Sequence, residues 1–173
     1  RVEQWNDLLD VYQRKIELVD DPEERKEIYF KTAHIYEEEV GDAERAISAY
    51  RTILDLAGDD SRALRRLNSI YQQQERWGDL AETLLRELTL VPPSDTETTI
   101  DLKYRLGKLQ ESQLDDIASA IECYRDILEL LGRIEAAGLD FIKTEHLCAF
   151  DGKAAHAYLV EALEAGAQAL MIF

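Results

Sequence analysis

His146, Cys148, Asp151 and His156 offer, within one short stretch, the imidazole, thiolate and carboxylate groups that zinc takes as ligands. Their order, H-x-C followed by seven residues and a second histidine, follows no standard zinc spacing, so no metal is expected. Cys148 as a nucleophile would need an activating base close in space. His34, between Phe30 and Glu37 on a helical face, has no nucleophile near it in the chain and reads as a surface histidine. No phosphate loop and no G-x-G-x-x-G occurs. The chain is therefore expected to hold no catalytic residue, no metal and no cofactor.

The elements that would position such groups are helical. Hydrophobic residues make up 46% of the 173 and charged residues 32%, too apolar for disorder and too charged for a membrane-embedded chain. Three prolines and eight glycines among good helix formers predict an all-α fold. The net charge of −16 repels phosphate backbones and anionic headgroups, which argues against nucleic-acid or membrane-surface partners. Cys123 and Cys148 lie in dissimilar contexts and read as free thiols, in keeping with a reducing, cytoplasmic location. Opening on Arg1 directly in helical pattern, the sequence reads as a segment of a longer protein.

A phrase recurs along the chain. Leu8-Tyr12-Ile16, Ala46-Tyr50-Leu54, Leu80-Leu84-Leu88 and Ala120-Tyr124-Leu128 each place three apolar residues on one helical face. Their anchors are 38, 34 and 40 residues apart. Ahead of the last three ladders runs another helix carrying a small or short residue, Ala33, Asn68 or Gly107, where two helices can approach closely. Each of these helices ends in a polar turn whose aspartate, Asp42, Asp79 and Asp115 or Asp116, is expected to cap the next helix. Pro22, Pro92 and Pro93 fall between helix pairs, where they end helices without breaking them. Trp5 and Trp77 open equivalent second helices and read, like Tyr12, Tyr50 and Tyr124, as packing residues.

A helix pair near 34 residues with a small residue, an aromatic three later (Tyr36, Tyr71), Gly-Asp and Ala-x3-Tyr resembles the tetratricopeptide repeat family. The resemblance covers residues 1–130, as one orphan second helix and three pairs, with Gln110 where an aromatic is usual. It implies an α-solenoid of stacked antiparallel helix pairs whose concave face is lined by the first helix of each pair. Counted from the small residues, that groove would present Glu27, Phe30, His34 and Glu37, then Arg62, Arg65, Ser69 and Gln72, then Asp101, Tyr104, Lys108 and Glu111. The mixture suits a peptide or partner protein, with the acidic surface favouring a basic one, and implies a non-catalytic interaction scaffold. In the chaperone-binding branch a lysine and asparagines clamp a terminal carboxylate. Phe30/His34 and Arg65/Ser69 stand in those places here, so that activity is not implied.

Residues 131–173 break the pattern and form an atypical tail, expected to be helical, capping the array or of separate origin. The tail contributes −3 of the net charge and ends in the apolar "ALMIF", which could support self-association. Within it "GLDFIKTEHLCAFDGK", residues 138–153, resembles a C-terminal stretch of bacterial NADP-dependent isocitrate dehydrogenases. That likeness covers sixteen residues, no other region of the chain is expected to share it, and no catalytic residue is carried over from it. The alternative expectation is an enzyme-associated module in which the tail supplies catalytic or metal-binding groups.

Overall fold

The computed structural model describes residues 2–136. They form seven α-helices: α1 (Val2–Leu18), α2 (Pro22–His34), α3 (Ala43–Ala57), α4 (Ser61–Gln73), α5 (Trp77–Leu90), α6 (Thr96–Ser112) and α7 (Ile117–Ala136). Between α2 and α3 the chain widens into a π-helical turn, Ile35–Val40. No strand occurs among the described residues. The fold is an all-α solenoid of stacked antiparallel helix pairs, as the ladders predict.

The chain forms two compact units, Arg1–Leu90 and Val91–Phe173. In the first, α2 packs on α3 and α4 on α5; α3 and α4 stack one pair on the next, and α1 lies against α2 and the π turn. In the second, α6 packs on α7. The boundary expected at residue 130 falls inside α7, and residues 137–173 of the tail, read as capping the array or of separate origin, lie outside the described residues.

The starts of α2, α3, α4, α6 and α7 are each fixed by an aspartate that accepts orphan backbone N–H groups. Asp42 receives Arg45 N at 3.0 Å and Asp116 receives Ser119 N at 3.1 Å, as the turns predict. Asp21, Asp60 and Asp95 do the same for α2, α4 and α6. Asp79 does not cap: α5 begins at Trp77, so Asp79 sits inside the first turn and instead binds Arg76 and Arg51, at 2.7 and 2.9 Å.

The ends of the first helices share one device. Gly41, Glu75 and Asp115, equally placed before the anchors Ala46, Leu80 and Ala120, take left-handed φ of 73°, 56° and 53°. The residue after each donates its N–H back into the helix: Asp42 to Tyr36 O, Arg76 to Tyr71 O and Asp116 to Gln110 O, at 2.8–2.9 Å. The stretch from Ala33 to Ala46 is one residue longer than that from Asn68 to Leu80. The stretch from Gly107 to Ala120 has the longer length too, and there α6 ends without a π turn.

The buried residues confirm the ladders in α3, where Ala46, Tyr50 and Leu54 are each at most 4% exposed. In α5 the buried stripe is Leu80, Thr83, Leu84 and Glu87, and Leu88 is only half-buried. In α7, Ile127 rather than Leu128 completes the core with Ala120 and Tyr124. Trp5, Trp77 and Tyr12 are half-buried. Gly107 is required: a Cβ there would stand 2.8 Å from Tyr124 Cε1 and 3.2 Å from Cys123 Cβ.

Candidate partner-binding surface

In the first unit the expected binding residues lie on α2 with its π turn and on α4. Arg62 joins the two helices. Its Nη2 donates to Glu27 Oε1 at 2.8 Å, and its guanidinium carbon lies 3.4 Å from the centre of the Phe30 ring. Phe30 is itself 8% exposed and meets Tyr50 edge-on, centroids 6.1 Å apart. It therefore forms the floor beneath Arg62 rather than a projecting contact.

Glu37 is half-buried because Tyr50 reaches it from α3, donating its phenol to Oε2 at 2.8 Å. Burial, and then that hydrogen bond to an anion, push the Tyr50 phenol well above its ordinary range. Arg66 stands 3.7 Å from Glu37 and 4.0 Å from Glu38. Ligand atoms of His34, Glu37 and Glu38 lie within 4.8 Å of one another, a set that could hold a cation, and the Arg66 guanidinium already supplies one there. His34, Ser69 and Gln72 are exposed.

Arg65 is anchored from behind. Its Nε donates to Glu87 Oε1 at 3.0 Å; the Arg65 side chain is 69% exposed and that of Glu87 only 7%. The other Glu87 oxygen accepts from Asn68 Nδ2 at 2.7 Å, and Asn68 Oδ1 accepts from Thr83 Oγ1. Asn68 thus sits where a small residue was expected because it completes a buried polar chain between α4 and α5. A buried carboxylate needs such partners.

The remaining four residues lie on α6, in the second unit. Asp101 and Lys108 are exposed. Tyr104 is half-buried against Tyr124, centroids 6.4 Å apart, and Glu111 accepts from Tyr124 Oη at 2.9 Å. The pair Tyr124–Glu111 repeats the relation of Tyr50 to Glu37, one phenol from the second helix holding one glutamate on the first. Arg66 and Glu38 join this surface, and the buried Thr83 and Glu87 support it from beneath, without having been anticipated. Arg66 could have been found, since it is one turn after Arg62; Glu87 sits in "LLREL" and has no local signal. His146, Cys148, Asp151 and His156, and the "ALMIF" end, lie outside the described residues.

The helical-repeat fold has a counterpart among solved structures. The crystal structure of MamA superposes with a TM-score of 0.50 at 20% identity, covering 96% of this chain and 91% of that one. At that identity the likeness speaks to the fold alone. No curated protein matches the chain. The family model described as bacterial isocitrate dehydrogenase, C-terminal domain, matches residues 69–160, just over half of the chain, and the chain belongs to that family. The match corrects the expectation that such a likeness is confined to residues 138–153, because it extends back through α5, α6 and α7. No described helix is long and apolar enough to cross a membrane.

Proposed function

We propose that the chain is a non-catalytic interaction module of tetratricopeptide type, binding a partner protein or peptide along the face shared by α2 and α4. The observation that carries this reading is Arg62. It is stacked on Phe30 and paired with Glu27, so aromatic, basic and acidic groups from two successive repeats are held in one fixed patch. Preorganised side chains lose less entropy on binding than free ones, which favours recognition at such a patch. The net charge of −16 favours basic partner segments and disfavours nucleic acid and anionic membranes.

The test is affinity enrichment from a native extract with the intact chain and with an Arg62→Glu, Arg65→Glu, Gln72→Ala variant of matched helicity. A partner kept by the first and lost by the second supports the reading. Equal retention by both moves binding off this face.

The family match favours a second reading, an accessory domain of an isocitrate dehydrogenase whose tail contributes to the enzyme. Isocitrate-dependent reduction of a nicotinamide cofactor by the full chain, lost on truncation after Leu130, would establish it. Undiminished activity on truncation would remove the tail from that role.

A further inference from the structure

The second helices α3, α5 and α7 each bury one face against the first helix of their own pair, and α1 leaves that face open. It consists of the ladder anchor and the residues three, four and seven after it. In α3 these are Ala46, Ala49, Tyr50 and Ile53, and there and at the same four places in α5 and α7 every residue is at most 8% exposed. In α1 they are Leu8, Val11, Tyr12 and Lys15. Leu8 and Tyr12 are only half-buried, Val11 is 58% exposed, and Lys15 is exposed and paired with Glu24 of α2. α1 meets α2 and the π turn from the neighbouring side, where Leu9 and Ile16 are buried. Among the described residues no helix lies over Val11.

The helix that covers this face elsewhere has a consistent chemistry. Four residues after their small residue, α2 and α6 carry Glu37 and Glu111, and each accepts the phenol of the ladder tyrosine, Tyr50 at 2.8 Å and Tyr124 at 2.9 Å. α4 carries Gln72 at that place, and its partner α5 has Leu84 where the tyrosine would stand. Glutamate on the first helix and tyrosine on the second therefore occur together. α1 has the tyrosine, Tyr12, and its phenol makes no hydrogen bond among the described residues.

We infer that the Leu8, Val11 and Tyr12 face of α1 docks an amphipathic helix of a partner protein, one that sets alanine or glycine against Val11 and Tyr12 and, four residues later, a glutamate that accepts the Tyr12 phenol. The small residue is needed for space. A Cβ at Gly107 would stand 2.8 Å from the Tyr124 ring, and Val11 is bulkier than Ala49 or Cys123 at the equivalent place. Lys15, the one charged residue of the four, adds a preference for an acidic helix. Because α1 alone presents this face, the contact is independent of the α2/α4 face.

The test is amide chemical-shift mapping on the full chain, titrated with a hydrocarbon-stapled helical peptide copying residues 22–41, which carries Ala33 and Glu37, and with the same peptide bearing Glu37→Leu. The inference predicts shifts concentrated at residues 5–15 with the first peptide and about fivefold weaker binding of the second, the scale of one hydrogen bond. Tyr12→Phe in the chain should weaken the first peptide by the same factor and leave the second unchanged. Val11→Asp should abolish binding of both, while Leu85→Asp, similarly exposed on α5, should bind as the unaltered chain does. Shifts centred on residues 46–54, where the peptide merely replaces α2, no shift at residues 5–15, or equal binding of the two peptides would overturn it. So would a dimer in sedimentation that Val11→Asp returns to monomer, which gives the face to a second copy. Arg62→Glu should leave the titration unchanged, so the α1 face and the α2/α4 face are judged separately.

Discussion

The Arg62 guanidinium lies 3.4 Å over the ring of Phe30, and this one stacking ties the second repeat to the first on the side where a partner is proposed to bind. A cation over an aromatic face is worth about 0.5–1 kcal/mol at an exposed site. The accompanying pair to Glu27, with both side chains about half exposed, adds little. Arg62→Ala should therefore lower the urea-unfolding free energy by roughly 0.5–1 kcal/mol. Arg62→Lys, which keeps a charge but loses the planar stack, should recover only part of it.

The buried chain Thr83–Asn68–Glu87 predicts a larger effect. Asn68→Ala removes the donor to one Glu87 oxygen and leaves that atom unsatisfied at a residue 5% exposed. The expected cost is about 1–3 kcal/mol, read from denaturant unfolding. An unchanged midpoint would show that water enters and replaces the amide.

The fold was legible because its signal is repetition. One ladder can be chance, but four ladders, three of them preceded by a helix with a small or short residue at a matching position, demand stacked helix pairs, and the apolar face of α3 follows from Ala46, Tyr50 and Leu54 alone. The surface was less legible because periodicity identifies a helix face and not what reaches it from the neighbouring helix. Phe30 was placed on the right helix but proves to be a floor, since Arg62 covers it from α4 and Tyr50 from α3. Asn68 looked like a spacer because its partners, Thr83 and Glu87, are on the next helix, and pattern alone does not report a polar contact made across helices. The π turn escaped notice because spacing does not signal it: Ala33 to Ala46 and Gly107 to Ala120 are equally long, and only the first carries one.

Glu75 shows a local conflict that substitution should relieve. It adopts φ of 56° at the position where the first repeat has Gly41, and side chains other than glycine, asparagine and aspartate are strained there. Glu75→Gly should raise stability by about 0.5–1 kcal/mol, seen as a higher thermal midpoint. Asp115→Gly should gain less, because aspartate tolerates this region.

Alkaline pH should unfold the chain through its buried phenols. Burial and the bond to Glu37 raise Tyr50, and burial raises Tyr71 against the opposing effect of Arg51, both from an ordinary value of 10.0. A phenol whose folded pKa is raised contributes stability below its unfolded value and loses it as pH climbs above 10.0. Ultraviolet titration of the eight tyrosines should show at least two, Tyr50 and Tyr71, that ionise only together with the loss of helicity.

The claim that the α2/α4 face binds a partner is tested most directly by hydrogen–deuterium exchange on the full chain, free and saturated with the protein captured by enrichment. The account predicts slowed exchange in residues 27–38 and 62–72 in the complex, absent from the Arg62→Glu, Arg65→Glu, Gln72→Ala variant. Protection confined to other helices or to residues 137–173, with these two segments unchanged, would contradict it.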